Sequence, residues 1–414
     1  MPQTVQNRSQ LIELLSMAAG IEHSLVAQYL YAALSMKASV EEGLTEGQLV
    51  DVAQWERMIL MVARQEMEHL GLVCNLLTSI GGAPAFRIPS FPYETPLLPH
   101  SMELLPFSES TLKRFVCFEA PDDQRPSYCQ TTPTPVPGPF QFHTVQDLYA
   151  LIRQGFQTLG AQPGLFLVDS ASQLDGSQIG TDFPHLGSSG GAYDVFLFTV
   201  QDLDSALRAI DLIVEQGEGA TTHQQDPGNP SHFEVFTTML ADLQGRTDGL
   251  APARAVVSNP CLYAREGATV LTDSGARLVA QLFQDAYNTM LFMLVRLFAH
   301  VNESEEELTE LRNAAFFPFM TMVIRPMSEI LTALPSGVAG LNAGPVFEVD
   351  PGLDFLPHRT AAWVMLSERI HQHAQDASVC AGHYGSDGPG PRLTYIAESL
   401  ALMAQRFDSS MGVS

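Results

Sequence analysis

Residues 55–77 read WERMILMVARQEMEHLGLVCNLL, and their periodicity decides the fold. At helical spacing Trp55, Ile59, Val62, Glu66, His69, Val73 and Leu76 share one stripe, separated alternately by four and three residues. The stripe is apolar except at Glu66 and His69, which fall where a helix meets its core. An unpaired carboxylate on such a face costs several kcal/mol, order of magnitude, so both groups need partners. Glu-x-x-His turned inward from a bundle helix is a metal half-site. The plainer alternative is a Glu66–His69 hydrogen bond inside the core. The remaining ligands must therefore be sought elsewhere in the chain.

The flanking sequence supplies further helices. Ser9 is expected to cap a first helix running to about Lys37, with Leu11, Leu15, Ala18, Glu22, Leu25 and Tyr29 on its stripe. Glu22 is a second acid at a core position, whereas His23 falls off the stripe and should face a partner or solvent. The link GLTEGQ leads into the 55–77 helix, which should stop at Gly81-Gly82, and a short connection between long helices implies an antiparallel pair. Proline is dense over residues 83–141, which excludes long helix there; Phe115 to Glu119 could form a short buried segment. Thr144–Leu159 reads as a third helix. Asp202–Gly219 reads as another, with Glu218 nearer its apolar face than Glu215. Ser231 should cap the helix that follows, placing His232 in its first turn. Further helices are expected near 277–300, 311–334 (bent at Pro318 and Pro326), 359–379 and 392–407. We expect a bundle over 1–245, with irregular crossovers at about 83–143 and 160–200. A helical part over 246–414 should pack on it as one globular unit.

Composition narrows the function classes. With 45% hydrophobic and 16% charged residues the chain is globular. Its 46 acidic against 21 basic residues give a net charge of −25, which argues against nucleic acid or anionic membrane as partner. The amino terminus MPQTVQNRSQ lacks a signal pattern and no uncharged apolar run reaches about 18 residues, so a cytoplasmic protein is expected. Cys74, Cys117, Cys129, Cys261 and Cys380 are odd in number and scattered, so neither a disulfide framework nor a zinc knuckle is expected.

The acids and histidines on core-facing positions are Glu22, Glu66, His69, Glu218 and His232, in the order Glu, ExxH, Glu, His. Two divalent ions a few Å apart need bridging carboxylates, terminal ligands and neutral imidazoles, and this set provides all three. A second ExxH would complete it, but Asn229 stands three residues before His232. Glu215 and Glu119 are the candidates for a sixth ligand. Tyr29, beyond Leu25 on the first stripe, is a candidate proton or electron donor, although a packed core tyrosine is the commoner role.

The segments IEHSLVAQYLYA, ARQEMEHLGLVCNLLTSIGGAP, AIDLIVEQGEG followed by SHFEVF, AYNTMLFML and AGPVFE resemble the ferritin-like domain of iminophenyl-pyruvate dimer synthases. That family is related to violacein- and rebeccamycin-type biosynthetic enzymes, and the resemblance runs from about residue 10 to 370. It implies a mainly α, ferritin-like four-helix bundle with long crossovers and additional C-terminal helices. It also implies that Glu22, Glu66, His69, Glu218 and His232 ligate two divalent metal ions, iron foremost and manganese as alternative. The ligand order is similar to that of manganese catalases as well. The expected function is a metal-dependent oxidoreductase using dioxygen or peroxide on a small organic molecule in secondary metabolism. Peroxide dismutation and a non-catalytic metal-binding or scaffold role are the alternatives, and homo-oligomerisation is open.

Overall fold

The computed structural model describes residues 4–95, 97–129, 140, 144–161, 163–179, 195–218, 230–300, 302–316, 318–352 and 358–410. Contacts divide the chain into two units. Unit 1 comprises Met1–Gly82, Phe91–Ser170 and Thr199–Arg254; unit 2 comprises Ala83–Ser90, Ala171–Phe198 and Ala255–Ser414.

In unit 1, helix α1 spans Arg8–Leu34. Its cap is Asn7 rather than Ser9, because the Asn7 side chain accepts from the Gln10 backbone N–H. Helix α2, Glu46–Ser79, opens with a Thr45/Gln48 capping box and packs along α1. Every α1 residue from Ile21 to Tyr29 is buried, including His23 at 2% exposure. Of the two expectations for His23, solvent and a partner, burial excludes solvent. The reason is the segment after α2: Tyr93 bonds Ser24, and the Glu103 N–H donates to Gln28 on the side of α1 that a single amphipathic stripe would leave wet.

The proline-dense region also contains more helix than its composition suggests. Ser108 caps α3, Glu109–Glu119, whose buried residues include Phe115, Val116, Phe118 and Glu119. Beyond α3 the chain folds back through short 3-10 turns and joins Cys129 to Cys117 in a disulfide, with Cα atoms 5.3 Å apart. The cysteine spacing holds no reason to expect this one bond; Cys74, Cys261 and Cys380 keep their thiols. Helix α4, Val145–Gly160, is capped by Thr144; α5 spans Leu203–Glu218; α6, His232–Gly245, opens with a Ser231/Glu234 capping box. Helix α4 packs on α1 and α5, α5 on α2 and α6, and α3 on α6. The long helices therefore enclose one interior.

Unit 2 is built on α7, Ser274–Phe298, with α8, Glu305–Ala315, and α9, Arg325–Leu331, beside it. The bend expected at Pro318 takes the form of a π-helical segment, Pro318–Ile324, and Pro326 sits at the start of α9, where its missing N–H costs little. Helices α10, Arg359–Tyr384, and α11, Gly390–Ser410, form a packed hairpin. A two-residue parallel pair joins β1, Pro260–Cys261, to β2, Thr269–Val270. The run Glu305–Leu331 has the length and apolar content of a membrane span, and 65% of its most apolar window is buried, as in a core helix.

Candidate metal centre

The buried polar groups of unit 1 converge on Glu66. Glu66 and His69 lie one turn apart on α2, and the acid reaches two imidazoles at once. Glu66 Oε2 is 3.2 Å from His69 Nδ1, and Glu66 Oε1 is 2.7 Å from His232 Nδ1. Glu22 of α1 approaches His69 from the other side, with Oε2 3.7 Å from Nδ1. Glu119, the last residue of α3, approaches His232 in the same way, with Oε2 3.6 Å from Nδ1. Two triads result, Glu22–Glu66–His69 and Glu66–Glu119–His232, each with ligand atoms within 4.8 Å of one another. Glu66 belongs to both.

Among the residues read from the sequence, Glu22, Glu66, His69 and His232 are thus brought together. Glu218 closes α5, and its side chain lies outside the described residues. Of the two candidates for a further ligand, Glu119 joins the cluster and Glu215 is exposed on α5. Tyr29 is buried within a ring of aromatics, its centroid 4.6 Å from Phe115 and 5.0 Å from Phe236, and its hydroxyl donates to Glu119 Oε1.

Three groups at the site were not singled out by sequence reasoning. The Tyr149 hydroxyl of α4 donates to Glu22 Oε1, mirroring Tyr29 on Glu119. Gln216 Oε1 lies 2.8 Å from His69 Nε2, and Gln65 Oε1 lies 3.2 Å from His232 Nε2. Tyr149 carried a signal, since a tyrosine beside Leu148 and Ile152 on an inward face needs a partner for its hydroxyl. The glutamines carried none, because an amide is neutral and common in helices.

Burial governs the titration of these groups, and their mutual charge decides the outcome. Burial and then the Glu66 charge push Glu22 up to about 8. Burial alone would raise Glu66 too, but the imidazoles of His232 and His69 outweigh it and hold this carboxylate well below its ordinary range. Burial alone would lower His232, but Glu66 and Glu119 push it up to about 9. His69 is raised for the same reason, by Glu22 and Glu66.

Does this set fit a pair of divalent cations? Among the described residues the ion-pair partners of Glu22, Glu66 and Glu119 are the two imidazoles. Among the described residues, buried His232 Nδ1 makes no aligned hydrogen bond, although carboxylate oxygens of Glu66 and Glu119 lie 2.7 and 3.6 Å from it as ion-pair partners. A ring nitrogen aimed between two acids without hydrogen-bond alignment is placed as a ligand atom would be. Carboxylate oxygens and imidazole nitrogens are the donors that iron and manganese accept. The residues fit.

A cavity of about 400 Å³, counted with its opening to solvent, reaches this cluster. Among the described residues, Glu22, Glu66, His69, Glu119 and Tyr149 face it, with Leu25, Phe118, Val145, Ile213 and Val214 as apolar wall. Gly217 also lines it. A Cβ there would sit 3.5 Å from Glu119 Oε2, in ordinary contact with the carboxylate.

Comparisons with known proteins agree with this architecture. Dichlorochromopyrrolate synthase of Lentzea aerocolonigenes is 30% identical over 91% of this chain and 39% of its own length. 2-Imino-3-(indol-3-yl)propanoate dimerase of Chromobacterium violaceum is 31% identical over 83% of this chain and 34% of its own length. The chain therefore spans well under half the length of these relatives. A ferritin-like protein from Caulobacter vibrioides, of solved structure, superposes with a TM-score of 0.53 at 19% identity, over 84% of this chain and 100% of its own, which speaks for the fold alone. The ferritin-like family model matches residues 15–241, the stretch that carries both triads. The chain belongs to the ferritin-like family.

Proposed function

We propose that unit 1 is a dinuclear metal-dependent oxidoreductase that oxidises a small organic molecule with dioxygen or peroxide. The observation that carries this reading is the pair of triads sharing Glu66. Glu66 would bridge two ions, iron foremost and manganese as alternative, with Glu22 and His69 holding one and Glu119 and His232 the other. Bound there, the ions would supply Lewis acidity and a relay for electrons passing from the organic molecule to dioxygen or peroxide.

The chain's own groups do the rest. Tyr149 holds Glu22 in place beside the cavity and can pass a proton through its hydroxyl to that carboxylate. Leu25, Phe118, Val145, Ile213 and Val214 keep bulk water from the reacting centre and offer an apolar surface to substrate. The relatives' names, a synthase of dichlorochromopyrrolate and a dimerase of an indole-bearing imino acid, support an aromatic imino acid or a product derived from one as the substrate class. Each of those chains is far longer, so coupling of two such molecules is not assigned to this chain.

The test is metal content after purification without chelator, beside a Glu66→Ala variant. About two equivalents of iron or manganese in the parent and a large loss in the variant are expected. Oxygen uptake with aromatic imino acids should follow from an iron-loaded sample. Oxygen release from peroxide alone would instead mark a catalase. Absence of metal from both proteins overturns the proposal.

A further inference from the structure

Each histidine of the centre has two ring nitrogens, and only one of them faces the acids. His69 Nδ1 lies within 3.7 Å of both Glu22 and Glu66, and His232 Nδ1 lies within 3.6 Å of both Glu66 and Glu119. The opposite nitrogen of each ring meets a glutamine amide from another helix: Gln216 of α5 for His69 of α2, and Gln65 of α2 for His232 of α6. Gln65 and Gln216 are themselves buried, at 5% and 7% exposure.

We infer that Gln65 and Gln216 are positioning residues for the metal centre, each accepting the Nε2–H of one histidine so that its Nδ1 lone pair is committed to the metal. The inference rests on the metal-centre reading above. A neutral imidazole carries one proton, and the nitrogen that keeps it is set by the hydrogen bond available to it. An amide oxygen at Nε2 holds the proton there. Were the amide turned to present its NH₂, the proton would move to Nδ1, between the carboxylates, where it would block ligation. Gln216 crosses from α5 to α2 and Gln65 from α2 to α6, so each also fixes the orientation of one ring; the two ring centroids lie 5.5 Å apart with their planes inclined at 29°. An amide does this without adding a fourth negative charge to three buried glutamates.

The test uses zinc(II) and manganese(II) as probes of four variants, Gln216→Leu, Gln216→Glu, Gln65→Leu and Gln65→Glu. Leucine keeps the volume and removes the acceptor, whereas glutamate restores it. Each leucine variant should bind one of the two manganese ions about 10- to 100-fold more weakly, at a melting temperature close to that of the parent, and each glutamate variant should recover most of that loss. Nitrogen-15 spectra of the zinc-loaded parent should show both imidazoles protonated at Nε2 and metal-bound at Nδ1. In Gln216→Leu the His69 resonances should lose that pattern while those of His232 keep it. Nε2 ligation in the parent, or leucine variants that bind as the parent does, overturns this inference and leaves the proposed function standing. A parent that takes up neither ion overturns both.

Discussion

The two halves of the centre are made of the same parts and set in different surroundings. One half holds Glu22, His69, Tyr149 and Gln216; the other holds Glu119, His232, Tyr29 and Gln65; Glu66 joins them. Among the described residues, Glu22, His69 and Tyr149 of the first half face the cavity, whereas the second half reaches it through Glu119 alone, Tyr29 and His232 not being part of its lining. Tyr29 instead sits among Phe115 and Phe236, whose own centroids are 5.2 Å apart. The first half is the more open and the second the more closely packed, with only Glu119 of it, among the described residues, reaching the cavity. A site that opens mainly on one side can keep the other packed, so that opening one side does not loosen the whole.

The largest effect expected from this difference is on stability. Phe236 is fully buried and touches both Tyr29 and Phe115. Phe236→Ala should cost about 3–5 kcal/mol by transfer and cavity terms together. Val145, half-buried at the cavity, should cost less than about 1 kcal/mol on truncation to alanine. Denaturant unfolding of the two variants measures both. Equal losses would mean that the cavity wall is as tightly packed as the aromatic cluster, and the contrast would fall.

Titration gives a second, smaller contrast. In the metal-free protein His232 is raised from 6.5 to about 9, so its contribution to stability is complete below about pH 6.5 and disappears as pH rises through 9. Glu22 is raised from 4.5 to about 8, so the folded state keeps a proton that the unfolded chain has released, and stability again falls with rising pH. Both signs agree. Chelator-treated protein should lose stability on the order of a few kcal/mol between pH 6.5 and 9, while affinity for manganese rises across the same window because both groups must give up protons to ligate. Glu22→Gln should remove the part that is lost as pH rises towards 8 and leave the part that runs on from 6.5 to about 9. A metal-free protein whose melting temperature is flat over this range would contradict the charge arrangement.

How much of this was legible in the sequence follows from the same physics. Periodicity shows which residues share a helix face, and it located α1, α2, α4, α5 and α6 together with Glu22, Glu66, His69 and His232. It works because each helix buries a face against one common interior. It left His23 undecided between solvent and a partner, because α1 is covered on its outer side by the segment carrying Tyr93 and Glu103, and an element buried all round has no informative stripe. It understated α3 because the flanking prolines hid a helix whose start is set by Ser108. Glu119 could be named only as one of two options, since its place depends on how a crossover returns over the bundle. The Cys117–Cys129 bond was invisible for a related reason: its two ends are brought together by turns with no motif of their own.

The smallest effect expected is also the most discriminating, because it compares one chemical change in two places. Tyr29 and Tyr149 are both fully buried, and each donates its hydroxyl proton to a glutamate. Removing one partner of a buried hydrogen bond costs about 1–3 kcal/mol when nothing replaces it. A water molecule that can enter recovers much of that. Tyr29 is packed against Phe115 and Phe236 and, among the described residues, is not part of the cavity lining, so Tyr29→Phe should lose about 2 kcal/mol by unfolding. Beside Tyr149 the cavity can supply water to Glu22, so Tyr149→Phe should lose less than about 1 kcal/mol. In the proposed reaction turnover should move the other way, since Tyr149 lines the cavity and Tyr29, among the described residues, does not: Tyr149→Phe is expected to slow oxidation at least about tenfold, and Tyr29→Phe much less. If Tyr29→Phe is the more damaging to turnover, access to the centre runs through the aromatic side, and the assignment of open and closed halves must be exchanged.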